Sequence, residues 1–190
     1  KNNNDFKNGN NSANCRGDLL MRLLSHQRGV GMMEILVALL ILAIGVLGFV
    51  ALQYRALEAS AESTNRVQAI TIARDLAERI RVNRNAFSVY KTELSTAANQ
   101  KAYKTNCLTT NCSNTDLADF DVSQVVSRAT TFGMTMNIMN CVGTSTTTNT
   151  RSCIYVAWGD SSATDGTGTG DCTDGNAYNQ TSTCIIMETY

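Results

Sequence analysis

The sequence has no proline, and its single histidine, His26, lies near the N-terminus. With one His and no C-x2-C pair, a structural zinc site lacks ligands at the usual spacing. No Ser or Cys has a base partner in sequence, so no catalytic constellation can be assembled. The chain therefore reads as a non-enzyme with no cofactor and no metal. Net charge is absent too: 16 Lys+Arg balance 16 Asp+Glu. Five Lys/Arg and two Asp/Glu precede Val30, leaving 11 and 14 from Val30 onward, a net of −3. A mildly acidic body gives no electrostatic footprint for nucleic acid, and none is expected as a partner.

Charge is missing altogether from Ile35 to Leu52, 18 residues without a strongly polar group. As a helix they span roughly 27 Å, about the thickness of a bilayer core. The run is longer than the apolar region of a cleaved secretory signal, and no A-x-A site comes after it. Arg22 and Arg28 precede it, which predicts a cytoplasmic N-terminus and a C-terminal body on the far side of a membrane. Residues 1–20 are Asn-rich without apolar periodicity, and Met21 opens "MRLLSHQRG". Residues 1–20 are read as a non-native or upstream extension and set aside.

The helical pattern continues well past the apolar run. From Gln53 to about Asn83 there is neither Pro nor Gly. Glu62–Arg66, Arg74–Glu78 and Asp75–Arg79 are opposite charges at i,i+4. Ile72, Leu76 and Ile80 recur at the same spacing, with Val67, Ala69, Ala73 and Ala77 nearby. The pattern predicts one helix of about 50 residues, apolar all round in its first half and along one stripe in its second. The charges at 74–81 read as a solvated face. Asp116–Arg128 is expected to form a short helix with Asp116 as candidate N-cap. "TTFGMTMNI" alternates, with Phe132, Met134, Met136 and Ile138 on one side, and predicts a half-buried strand. "CIYVAW" (Cys153–Trp158) and "CIIMETY" (Cys184–Tyr190) are two more, joined by polar loops. The fold class is α+β: a long N-terminal helix packed on a small antiparallel sheet with disulfide-stapled loops.

Seven cysteines are present. Cys15 lies in the excluded segment, and the other six all lie downstream of the apolar run. An even set of this kind predicts a disulfide framework in an oxidising compartment. The order of strands favours sequential pairing. Cys141 ends one strand and Cys153 begins the next, Cys107 and Cys112 close a small loop, and Cys172 and Cys184 remain. Each bridge typically contributes on the order of 2–4 kcal/mol. "DGTGTGDCTDGN" offers Asp165, Asp171 and Asp174 as oxygen ligands for calcium. No Glu stands at the twelfth loop position, and Asp-Gly turns account for the stretch more simply.

One carboxylate, Glu34, stands at the start of the apolar run. Such a group at the centre of a membrane helix costs roughly 2.5–3.5 kcal/mol unless it is paired. A cut after Gly29 would place a free α-amine on Val30, four residues from Glu34. That amine could neutralise Glu34 within the subunit or in a neighbour.

"RG/VGMMEILVALLILAIGVLG" resembles the class III signal of type IV prepilins and pseudopilins. These carry a basic leader ending in Gly, a hydrophobic first mature residue and Glu fifth. "GVGMMEILVALLILAIGVLGFVALQ", "RDLAERIRVNR" and "VAWGD" are most similar to the PilV-type minor pilins. The resemblance is strongest over residues 22–84.

It implies that residues 21–29 are a leader removed by prepilin peptidase and that Val30 is then N-methylated. Residues 30–52 would be the membrane or filament-core half of the helix, 53–84 the amphipathic half, and 85–190 a periplasmic, later exposed, domain. Implied partners are other minor and major pilins, the peptidase, the inner-membrane assembly platform, and the membrane before assembly. Pairing of Glu34 with a neighbouring Val30 amine would guide docking. The implied role is in a priming or tip complex of a pilus that supports twitching motility, adhesion or DNA uptake. The signal is shared by minor pseudopilins of type II secretion, which remain an alternative. Two features depart from major pilins. Val30 stands where Phe is commonest, and Ala51 stands where a Pro is usual, which leaves Gly45 and Gly48 to loosen the helix.

Overall fold

The computed structural model describes residues 31–144 and 151–189. The leader, Gly29, Val30, the greater part of the Thr-rich loop and Tyr190 lie outside the described residues. Helix α1 runs unbroken over Met32–Val82. A 3-10 turn, Arg84–Ala86, leads into α2, Phe87–Ser95, and α3 spans Asn114–Thr131. The strands are β1 Thr135–Asn140, β2 Ser152–Ala157, β3 Ser162–Asp165, β4 Asp171–Thr173 and β5 Cys184–Thr189. The chain divides into two compact units, one ending at Tyr54 and one from Arg55 onward.

In the second unit α1 buries one stripe, Ala69, Ile72, Ala73, Leu76 and Ile80. These share a core with Tyr90 and Leu94 of α2, Val122 and Val125 of α3, and the sheet residues Met136, Ile138, Ile154 and Val156. Fully burying a Leu or Ile side chain stabilises by about 1.5–3 kcal/mol, and the two alanines let the helix backbone approach its neighbours closely. Val67, grouped with this stripe by sequence, is instead exposed.

The main sheet is antiparallel in the order β1-β2-β5, with Ile138 opposite Ile154 and Ile154 opposite Met187. Every residue of β2 from Cys153 to Ala157 is buried. Ile154 and Val156 face the helices, whereas Cys153, Tyr155 and Ala157 join a second cluster with Ala163 and Cys172. Both faces of the central strand are therefore covered, which is why β2 reads as a continuous apolar run.

Several local expectations need correction. The N-cap of α3 is Ser113, whose hydroxyl accepts from the Asp116 amide at 3.2 Å. Asp116 lies in the first turn, where a carboxylate complements the exposed amides. Phe132 is 44% exposed and caps the end of α3 rather than joining the strand. Gly133, at φ 69°, makes the reversal into β1, a conformation that a side chain disfavours. The stretch after Trp158, expected to be a loop, contains the short parallel pair β3–β4. Its alternation is too brief for a periodic signal. α2 was not anticipated either.

Candidate functional site

In the first unit every described residue is exposed. One helix among the described residues is long and apolar enough to cross a membrane; its best 18-residue window has mean hydropathy 3.1 and is 0% buried. A helix apolar on all sides, with none of the described residues packed on it, has a surface suited to lipid or other helices. Glu34 sits in its first turn, and its amide donates to the Gly31 carbonyl at 2.8 Å. A carboxylate there faces the positive end of the helix dipole, a gain of about 0.3–1 kcal/mol at an exposed site. Glu34 is thus placed at the start of the apolar surface, whereas its expected partner Val30 lies outside the described residues.

The charges of the second half of α1 form a tie between helices rather than a solvated face alone. Arg79 donates to Asp75 Oδ1 at 3.0 Å and to Asp121 Oδ1 of α3 at 2.6 Å. Arg128 of α3 reaches back to Asp75 Oδ2 at 2.9 Å. The Tyr90 hydroxyl of α2 donates to Asp121 Oδ2 at 2.6 Å. Burial drives the Tyr90 phenol well above its ordinary range, and the bond to the Asp121 carboxylate adds to the shift. Of the three i,i+4 pairs expected in this half, Asp75–Arg79 forms. Glu62 instead accepts from the Trp158 indole N–H at 2.9 Å, and Glu78 pairs with Arg81 at 2.8 Å. Asp121 and Tyr90 were not singled out from sequence. Their partners are 42 and 31 residues away, beyond any local spacing rule.

The six cysteines lie at bonding distance in three pairs. Cα separations are 5.5 Å for Cys107–Cys112, 5.0 Å for Cys141–Cys153 and 5.7 Å for Cys172–Cys184. The last two brace the back of the sheet, where all four sulfur-bearing residues are buried. The aspartates considered for calcium are engaged within their own turns. Asp171 accepts from the Thr164 hydroxyl and the Gly168 amide, which hold its carboxyl below the usual range. Asp174 accepts from the amides of Ala177 and Asn176, with the same effect. Asp165 accepts from the Thr173 hydroxyl and the Gly175 amide. A Cβ at Gly166 would meet Asp171 Oδ2 at 2.5 Å, so a side chain there would displace this carboxylate. Among the described residues no three His, Cys, Asp or Glu side chains form a group suited to a metal ion.

Residues 51–123 match a family described as Tt1218-like, type IV pilin Tt1218. No curated protein and no solved structure matches the chain. The matched segment covers the amphipathic part of α1, α2, the first disulfide loop and the start of α3, and it ends before the sheet. It begins after Glu34 and most of the apolar run, so it rests largely on residues other than those that carry the prepilin-like signal. This match, over less than half of the chain, supports a pilin role.

Proposed function

We propose that this chain is a minor pilin of the PilV type, processed by prepilin peptidase between Gly29 and Val30 and N-methylated on Val30. In this reading residues 21–29 are the leader and residues 30–52 anchor the subunit in the inner membrane, with the body from 85 to 190 in the periplasm. The assembly platform then draws it into a pilus, where it serves in a priming or tip complex with other minor and major pilins. The observation that carries the reading is Glu34, a lone carboxylate in the first turn of an apolar helix that none of the described residues covers. Processing creates the Val30 amine that can neutralise it. An incoming helix bearing Glu34 is then stabilised only at the register where its carboxylate meets an amine. Head-to-tail repetition of that contact does not close, and so it builds a filament.

The test is mass spectrometry of the N-terminus in cells with an active prepilin peptidase. A methylated Val30 is expected; an intact leader would sink the proposal. Glu34→Ala is expected to leave cleavage intact and to lower the amount of the chain in sheared pili by about tenfold, the equivalent of roughly 1.4 kcal/mol. A chain that is processed but missing from pili, and needed for protein secretion, would be a type II pseudopilin instead.

A further inference from the structure

The turns that follow β3 and β4 border a cleft of about 490 Å³, within the roughly 300–1,000 Å³ range of small-ligand sites. Its wall is braced from within the chain. Cys172 and Cys184 close a ring around the second turn. The Asn179 amide donates to the Cys172 carbonyl at 3.0 Å, and Asn179 Nδ2 donates to the Gly168 carbonyl of the first turn at 3.3 Å. Asn179 Oδ1 accepts from the Thr181 hydroxyl at 2.9 Å. The Tyr178 hydroxyl accepts from the Ile186 amide at 3.0 Å, which fixes the ring while leaving the residue 53% exposed. Other groups on this wall are unspent. Among the described residues the Thr167 hydroxyl and the Gln180 side-chain amide make no hydrogen bond. Asp174 Oδ1 takes the amides of Asn176 and Ala177, and Oδ2 takes none from another residue.

Charge and polarity narrow the occupant. No Lys or Arg lines the cleft, and the Asp174 carboxyl, held below its usual range by those amides, is ionised at neutral pH. Arg66 acts on the Tyr178 phenol electrostatically but does not line the cleft. An anionic ligand would therefore face a carboxylate with no cation beside it. Protein partners are anchored by large apolar side chains or Arg in dry pockets, and here the only aliphatic lining side chain is that of Ala177. What remains is a set of neutral donors and acceptors around one aromatic ring. A sugar hydroxyl both donates and accepts, as an amide such as that of Gln180 does, so the two pair in both directions. The C–H face of a sugar ring is apolar and slightly positive, and it suits the negative face of a phenol ring. We propose that this cleft binds a neutral saccharide, with one sugar ring stacked on Tyr178 and its hydroxyls bonded to Gln180, Thr167 and Asp174. The braced wall lowers the ordering cost of such binding. The site goes beyond the pilin reading and does not rest on it.

The test uses the full-length chain in a detergent without a sugar headgroup. It is applied to an array of immobilised glycans ending in glucose, galactose or N-acetylglucosamine, with sialylated and sulfated glycans beside them. Dense display makes weak single-site binding measurable. Binding to at least one neutral glycan is expected. Gln180→Ala is expected to weaken it about tenfold, and because this side chain bonds nothing among the described residues the fold is expected to persist. Tyr178→Ala is expected to abolish binding. Leu108→Ala, at an exposed position on the first disulfide loop, is expected to leave it unchanged. Binding to no glycan, binding confined to the sialylated or sulfated ones, or equal binding by the wild type and Gln180→Ala overturns the proposal and leaves the pilin reading standing. Crosslinking of Gln180→p-benzoylphenylalanine to a neighbouring subunit in pili also overturns it, by making the cleft a subunit contact. If Tyr178→Ala fails to form its three disulfides, Gln180→Ala decides.

Discussion

Leu47 and Leu76 lie on the same helix, yet one is 70% exposed and the other 1%. The helical backbone is continuous through both, so secondary structure does not explain the difference. Composition does. Around Leu76 the apolar residues keep to one stripe, and the chain supplies its own sheet and helices to cover it. Around Leu47 they occupy every side, and none of the described residues covers them. One half of α1 is thus packed into the body, and the other is covered by none of the described residues. Mutational effects should divide the same way.

The largest effect on the folded body is expected from Leu76→Ala, a loss of roughly 2–5 kcal/mol from transfer and cavity terms. Leu47→Ala should change the stability of the detergent-solubilised chain by less than about 0.5 kcal/mol. Chemical denaturation of the two variants side by side checks the contrast, and equal losses would break it. Asp121→Ala comes next, at about 2–3 kcal/mol, since it leaves the buried Tyr90 hydroxyl and part of Arg79 without an acceptor. Ser113→Ala removes the cap of α3 and should cost about 1 kcal/mol by the same measurement.

The smallest effect near neutral pH, and one that grows in alkali, concerns Tyr90. Its folded pKa lies above the ordinary 10.0, so the stability it contributes is fully present below about pH 10 and is lost as pH rises through the folded value. Alkaline unfolding of Tyr90→Phe should therefore be less steep than that of the wild type. Identical pH profiles would show that the phenol does not titrate with unfolding.

Sequence spacing located the elements that obey a local period. The α1 stripe at Ile72, Leu76 and Ile80 was legible, as were Met134, Met136 and Ile138 in and before β1. Glu34 stood out because charge is so scarce around it. The features that were not legible depend on distance or brevity. Ser113 and Asp116 both suit an N-cap, and local sequence alone does not rank them. Phe132 fits the alternation of β1 but is placed on α3 by the helix that ends there. The Arg79–Asp121–Tyr90 tie joins three helices and has no signature in any one of them. β3 and β4 are too short to display a period, and the Asp-Gly signals there point to turns only.

The three disulfide rings have a consequence for the history of the chain. Among the described residues no bridge encloses another, and none spans more than 12 positions. A body that enters an oxidising compartment in chain order from Cys107 to Cys184 can close each ring as soon as its second cysteine appears. The sulfur that arrives next is the native partner each time, so oxidation in order of emergence makes no wrong pair that must later be reshuffled. The covalent staples of the body can then be complete almost as soon as Cys184 appears.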